Sequence, residues 1–292
     1  MAIPFNQVYV GLGGGSLLQL ANRTLTQMMS YVLTAPGGEL IVIDGGNRCE
    51  EDAMCLRAEI MKRGGHVSLW LFTHAHSDHV GALTWLLEND RCGEMTIGKV
   101  CFHFPEVEQL KEMGDWEINE VLLQQLEQKG LCVHTTHAGE MLEVGGMSIE
   151  VLNDPIIKQD LVKAEGFPSL NSTSVLFVAH FPARDVLFLG DFDVYGQDVF
   201  LEKYGAEKLR VDIVQMSHHG QHGVDRSFYE LIQPKICLYT APLWLWENNK
   251  YRGTDPADDG KGPFTTLETR RWMQELGAQV SCVHAFGDYL LF

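Results

Sequence analysis

Between Val67 and Leu87 a mostly apolar run, Val67–Phe72, leads through Thr73 into His74, His76, Asp78 and His79, all within six residues. Gly81 and the apolar Ala82, Leu83, Trp85, Leu86 and Leu87 follow. No other stretch constrains the fold as tightly. The first run has the composition of a buried strand that delivers its carboxyl end to a loop. Side chains alternate in an extended chain, so His74 and His76 fall on one side. Asp78 and His79 then sit where the chain turns into a helix, with Ser77 or Asp78 available as its cap. Imidazole nitrogen and carboxylate oxygen are good ligands for zinc, and also for manganese or iron. Four such groups exceed what one tetrahedral ion takes from one short loop. The expectation is two adjacent divalent metals, with His74 and His76 on one and Asp78 and His79 on the other. A polar loop of locally hydrogen-bonded histidines is the plainer alternative.

Other strand ends carry similar chemistry. Glu39–Ile43 ends in Asp44-Gly45-Gly46, Asp185–Leu189 in Gly190-Asp191, and Val211–Met216 in Ser217-His218-His219-Gly220. Carboxyl ends of strands are where α/β sheets place their sites. Asp191 is the candidate bridging carboxylate, since one carboxylate can hold two cations about 3.5–4 Å apart. His219 is expected to complete the second metal, with His218 lining the pocket. Adjacent residues of a turn can point either way, so their order stays open. Asp44 and Asp191 have a plainer reading as turn aspartates beside glycine.

The stretch Thr73-His-Ala-His-Ser-Asp-His-Val-Gly81 resembles the signature of the metallo-β-lactamase superfamily. The resemblance implies an α/β (α+β) fold. Specifically, it implies a four-layer αββα sandwich of two mixed β-sheets with helices outside, as a single domain over residues 1–292. It also implies that Asp44 supports the metal loop through hydrogen bonds. In the superfamily a further histidine precedes the bridging aspartate, and here the comparable place holds Asn171. The first metal is then left with His74, His76 and Asp191 plus water or a weak ligand. Asn171-x-x-Ser174-x-Leu176, Leu189-Gly-Asp191 and Ser217-His-His-Gly220 resemble the metallo-hydrolase domain of the competence protein ComEC and related bacterial phosphodiesterases. The chain lacks the membrane channel of full-length ComEC proteins. His76 speaks for hydrolysis over the oxygen-reducing di-iron branch, where an acidic residue would stand.

The remaining pattern fills in elements. Short strands are expected at Gln7–Val10, Ser30–Thr34, Thr96–Phe102, Leu131–Thr135, Glu140–Val144 and Met147–Leu152. Leu170–Val178 leads into another strand, and Lys235–Tyr239 forms one more. Helices are expected at Glu50–Arg63, Asp115–Gln128 (capped by Asp115), Ser227–Ile232 and Thr265–Leu276. Gln279–His284 and Tyr289–Phe292 read as a last hairpin through Phe286-Gly287-Asp288. Lys158–Gly166 reads as a loop over the site. The long irregular stretch Pro242–Pro263 offers Trp244, Trp246 and Tyr251 as a substrate wall or as packing. His134 and His137 read as surface or loop histidines, and His284 as a satisfied core or edge histidine. Gly11–Gly15 contains Gly-x-Gly without the strand–helix context of a nucleotide site.

Composition narrows the function. Lys and Arg number 22 against 39 Asp and Glu, a net charge of −17. Such a surface repels a long nucleic acid but admits a small phosphorylated substrate, because bound divalent cations reverse the local field. No apolar run reaches the roughly 18 residues of a membrane span. The start lacks the pattern of a signal peptide. Seven scattered cysteines without a Cys-x-x-Cys pair fit reduced core thiols and a cytoplasmic protein. The expectation is therefore a hydrolase in which two divalent metals, zinc first with manganese or iron as alternatives, activate a water against a phosphodiester or related phosphorylated small molecule. Asp78, Asp191 and His218 carry the reaction. Hydrolysis of a carboxylic ester, lactone or thioester is the alternative, as is a metal-binding protein without turnover.

Overall fold

Hydrogen-bonded pairing sorts the strands into two sheets. The computed structural model describes residues 3–113, 116–157 and 169–292. The first sheet holds β1 (Phe5–Val8), β2 (Ser16–Gln19), β3 (Ser30–Thr34), β4 (Leu40–Asp44), β5 (His66–Leu71), β6 (Thr96–Phe102), β7 (Val133–Thr135) and β15 (Asp288–Leu291). Their spatial order is β1-β15-β2-β3-β4-β5-β6-β7. The second holds β8 (Met141–Val144), β9 (Met147–Val151), β10 (Phe177–His180), β11 (Asp185–Phe188), β12 (Ile213–Gln215), β13 (Ile236–Tyr239) and β14 (Val280–Val283). Here the order is β14-β13-β12-β11-β10-β9-β8. Both sheets are mixed. β3 and β4 are antiparallel and β4, β5 and β6 parallel, while β11 through β14 run parallel after the antiparallel β9–β10–β11.

Strands buried on both faces read as continuous apolar runs, and β4 shows why. Ile41 and Ile43 point between the sheets, with Tyr31, Leu33, Leu69, Phe177, Val186 and Phe188. Leu40 and Val42 point outward against α1 (Glu50–Lys62), α2 (Ser77–Glu88) and α4 (Trp116–Gln128). On the far side Leu187 and Leu189 face α5 (Val194–Tyr204), α6 (Arg226–Ile232) and α8 (Thr266–Glu275). The layers are therefore helix, sheet, sheet, helix, as the resemblance implies.

Some expectations change. The expected strands Gln279–His284 and Tyr289–Phe292 are not a hairpin, because β14 pairs with β13 in the second sheet and β15 with β1 and β2 in the first. The cause is Asp288. Its carboxylate accepts from Ala21 N at 2.8 Å and from Arg23 Nη2 at 2.7 and 2.9 Å, which draws the strand across. Neither Ser77 nor Asp78 caps α2. His76 holds that place with an extended backbone, and Asp78 lies in the first turn, where negative charge meets the helix's positive end. The strand β2 and the helices α3 (Val107–Met113) and α5 come in addition to the elements expected. The expected Asp115 cap and the Lys158–Gly166 loop lie outside the described residues.

Helix α2 rests on the loop after β4. Ala82 N donates to Gly46 O at 3.0 Å, and Met29 N donates to Asp78 O at 3.1 Å. A Cβ on Gly81 would lie 2.3 Å from Arg48 N and 2.6 Å from Asn47 C. Only glycine permits that approach.

Candidate metal centre

The centre is built outward from Asp44 at the end of β4. Asp44 is fully buried and has left-handed backbone, φ 57°. Its Oδ1 accepts from Thr73 N at 2.9 Å, and both carboxylate oxygens face Thr73 Oγ1 at 3.0–3.1 Å. Its Oδ2 accepts from His79 Nδ1 at 2.9 Å. A carboxylate can only accept, so the proton of His79 sits on Nδ1 and Nε2 faces the centre. Asp44 thus ties the end of β4 to both halves of the histidine loop. Replacing it with asparagine keeps the shape and removes the charge. The expected result is a 10–100-fold loss of zinc affinity, of the order seen when outer partners of ligands are removed. Competition with a chelating dye measures it.

Two groups of side chains converge. Asp78, His79, Asp191 and His219 bring one ligand atom each within 4.8 Å of one another, and so do His74, His76 and Asp191. Asp191 belongs to both. Its Oδ1 lies 3.3 Å from His79 Nε2, and its Oδ2 lies 3.5 Å from His219 Nε2 and 4.0 Å from His74 Nε2. His219 Nε2 is 3.1 Å from Asp78 Oδ2, and His74 Nε2 is 2.9 Å from His76 Nδ1. His79 Nε2, His219 Nε2 and Asp191 Oδ1 are buried and make no hydrogen bond. Orphaned buried polar atoms are costly, and these three aim at one volume. Divalent cations would satisfy them, so the donor set fits metal ions.

The second half of the site is held from beneath. Gln215 Oε1 accepts from Leu189 N at 2.8 Å and Gly190 N at 2.7 Å, and Gln215 Nε2 donates back to Gly190 O at 3.0 Å. Ser174 Oγ accepts from Asp191 N at 3.2 Å. At Gly190, with φ 57°, a Cβ would stand 2.8 Å from Thr73 Cβ, so the two loops touch there. His218 and His219 both have left-handed backbone, φ 48° and 59°. Such conformations are strained outside glycine and are held by surrounding structure. The turn drives His219 inward, where Nδ1 meets Thr240 Oγ1 at 2.8 Å. His218 stays at the edge of the cavity, with Nε2 3.8 Å from Asp191 Oδ2. The structure therefore places the two histidines in the order the sequence left open. Asn171 lies on a 3₁₀ turn, Leu170–Thr173, whose Leu170 packs on Ala75 of the metal loop. Its Oδ1 is buried without a hydrogen bond.

Electrostatics follow from packing imidazoles and carboxylates together without water. Burial alone would lower the His79 pKa, but the charges of Asp191, Asp44 and Asp78 outweigh it and push the value well above the usual 6.5. At His219 burial is likewise outweighed, by Asp191 and Asp78, and the value rises to about 9. Burial, then His79 and His76, push His74 well below its ordinary value. Burial would raise Asp78 and Asp191, yet the neighbouring imidazoles hold both below the usual carboxylate range. Without cations, protons on His79 and His219 balance the carboxylates.

That balance has a sign. A histidine whose folded value is raised adds stability below its unfolded value of about 6.5, and the gain is lost as pH rises through the folded value. Chelator-treated protein should therefore lose several degrees of Tm between pH 6.5 and 9.5. Zinc-loaded protein should lose less, because zinc takes the deprotonated ring. Thermal melts with and without chelator check this. Parallel pH curves would refute it.

Beside the centre lies a cavity of about 610 Å³ whose lining includes Leu25, Asn47, Asp78, His218, Trp244 and Arg252. Of the expected wall, Trp244 lines it, on the short helix α7 (Leu243–Trp246). Trp246 is packed on Tyr239 and Phe286, and Tyr251 is exposed. Thr240, Gln215 and Arg252 escaped the sequence reading. Gln215 had a signal, a lone amide in an apolar strand, and Thr240 another, the end of β13. Of the histidines read as plain surface, His134 pairs with Glu140 at 2.6 Å. His137 meets His103 and Asp154 in a shallow rim cluster within 4.8 Å. Glu140 is only six residues from His134, whereas His103 and Asp154 reach His137 from other segments, which spacing cannot show. His284 is not satisfied. It sits in a 3₁₀ turn after β14, buried, with neither ring nitrogen hydrogen-bonded.

Comparison with known proteins bears on the fold. No curated protein matches the chain. Among solved structures, the metallo-beta-lactamase fold protein YhfI from Bacillus subtilis superposes with a TM-score of 0.57 at 11% identity, covering 94% of this chain and 99% of that one. CmlA, a diiron beta-hydroxylase from Streptomyces venezuelae, gives 0.55 at 14% identity over 95% of this chain and 54% of that one, so this chain spans about half its length. Residues 23–236 match the Metallo-beta-lactamase superfamily. With two mixed sheets, outer helices and a His/Asp cluster at the strand ends, the chain belongs to the metallo-β-lactamase superfamily.

Proposed function

We propose that this protein is a dinuclear metal-dependent hydrolase acting on a phosphodiester or related phosphorylated small molecule. The observation that carries it is Asp191, shared between two ligand groups. In this reading His74, His76 and Asp191, with Asn171 as a weak fourth group, hold one divalent ion, zinc first and manganese or iron as alternatives. Asp78, His79, Asp191 and His219 hold the other. Bound there, the ions supply a water of lowered pKa and offset charge on the phosphoryl group.

The chain's own side chains do the rest. Asp78 and Asp191 orient the attacking water, and one of them takes its proton. The water oxygen adds to phosphorus as the ester P–O bond opposite breaks, and the leaving oxygen departs as an alcohol with the proton that the carboxylate took from the water or one from solvent. His218, whose Nδ1 faces the His222 carbonyl at 3.4 Å, presents Nε2 toward the reacting group. Burial lowers the pKa of the free ring, so His218 would offset charge on the phosphoryl oxygens only by taking up a proton together with the substrate. The likeness of the Ser217–Gly220 turn to ComEC-type hydrolases and related phosphodiesterases favours phosphorus over carbon as the centre attacked. The ligand set permits one further reading, since Asn171 stands where the superfamily has a histidine: a metal-binding protein without turnover.

Elemental analysis beside turnover of bis-p-nitrophenyl phosphate, aryl esters and lactones tests the proposal. Two metals per chain and chelator-sensitive turnover of the diester support it. Turnover of esters or lactones alone shifts the reaction to carbon. Bound metal without any turnover leaves the binding reading.

A further inference from the structure

Among the described residues, the lining of the cavity beside the metal centre includes one cation. Among its described lining residues Arg252 is the sole lysine or arginine and Asp78 the sole carboxylate. Asp78 is engaged by the imidazoles of His79 and His219. Arg252 forms no ion pair among the described residues. Its guanidinium lies 5.1 Å from the Trp244 ring centroid and 5.3 Å from that of Phe264. The two rings meet at 5.3 Å and 57°, and Trp244 Nε1 donates to Leu25 O at 2.7 Å, so the aromatic seat is itself fixed. The backbone is fixed too. Arg252 has φ 55°, and buried Asn249 Oδ1 accepts from Tyr251 N at 3.1 Å and Gly253 N at 3.0 Å, on either side of it. A strained residue held from both flanks, its charge seated on aromatic faces, is a preorganised anion receptor.

We infer that the substrate carries a second anionic group, a carboxylate or a phosphate, bound by Arg252 while the scissile phosphoryl group lies at the metal centre. The inference rests on the hydrolase reading for the first group only. A cavity of about 610 Å³ has room for such a two-headed molecule, within the usual ~300–1,000 Å³ of small-molecule sites. The fork of the guanidinium suits either anion, and a strongly negative protein has reason to place one cation where such a ligand enters.

The test uses the zinc-loaded full chain and calorimetry, so it does not depend on turnover. The probes are alkylphosphonates of three to six carbons, their ω-carboxy counterparts and the matching α,ω-bisphosphonates. At the best-fitting length, wild type should bind an anionic-tailed probe about tenfold tighter than the neutral-tailed one. R252A and R252E should erase that preference, and R252K should keep part of it. The neutral-tailed probe should lose far less than the anionic-tailed one in every variant, which also shows that the loop has not collapsed. The carboxylate and phosphonate series tell which anion is read. The inference is overturned if no length favours the anionic tail, or if the preference survives in R252A. An Arg252-dependent preference without turnover of any phosphodiester would sink the hydrolase reading and leave the subsite standing. Turnover without the preference would do the reverse.

Discussion

Asp191→Asn should leave a folded protein that binds at most one zinc and turns over a phosphodiester at least ~10²-fold more slowly. Asp191 is the one carboxylate common to both ligand groups, and among the described residues the one whose oxygens lie within 4.0 Å of ring nitrogens of His74, His79, His218 and His219 alike. Asparagine keeps the volume and can still meet one cation through its carbonyl oxygen. It cannot bridge two as a charged group does. The loss should therefore exceed the 10–100-fold that follows removal of an outer partner. Elemental analysis and kcat of the same preparation decide it. Two tightly held metals in the variant, or unchanged turnover, would refute the bridging assignment. The pKa values of His79 and His219 should also fall, since Asp191 is the largest charge acting on each, while Asp78 still acts on both and Asp44 on His79.

The second large effect is on stability. Gly81→Ala places a methyl group 2.3 Å from Arg48 N and 2.6 Å from Asn47 C, and both are backbone atoms with no rotamer to yield. Relief requires α2 to lift from the Gly46–Arg48 loop, breaking the Ala82 N to Gly46 O bond. The cost should be about 2–4 kcal/mol, in the range of overpacked or broken interior contacts. For a chain of this size that is a Tm lower by roughly 3–7 °C. Asp78 and His79 ride on the first turn of α2, so metal affinity should fall with stability. Thermal melting with and without zinc measures both. A Gly81→Ala protein as stable as wild type would mean that the loop yields freely.

How much of this was legible beforehand depends on distance along the chain. The histidine loop was readable because four of its groups lie within six residues and a strand's alternation fixes their sides. Asp44, Asp191 and His219 were readable because chemistry recurs at strand ends, and the resemblance to a known signature joined them. What spacing could not give was order within the Ser217–Gly220 turn. Two successive left-handed residues set it, a conformation nothing in the letters His-His requires. Nor could it give Thr240 or Gln215, whose roles exist only when neighbouring strands bring them beneath the loops. Arg252 is the clearest case. It stands far along the chain from Asp78, in a stretch that reads as irregular, and only the packed loop brings it to the same cavity. The false hairpin at the end has the opposite cause. Phe286-Gly287-Asp288 is a sound turn signal, but Asp288 is claimed by Ala21 and Arg23.

That captured strand governs how the molecule can assemble. β15 lies between β1 and β2, pairing Phe5 with Asp288 and Leu17 with Leu291. Two early segments therefore share a partner that leaves the ribosome more than 260 residues later. Until then β2 presents a bare edge on a nascent sheet, an open template for another chain. Closure of so long a loop comes late and raises the contact order, so refolding should be slow and sensitive to protein concentration. Because β14 belongs to the other sheet, the same closing step ties the two sheets together.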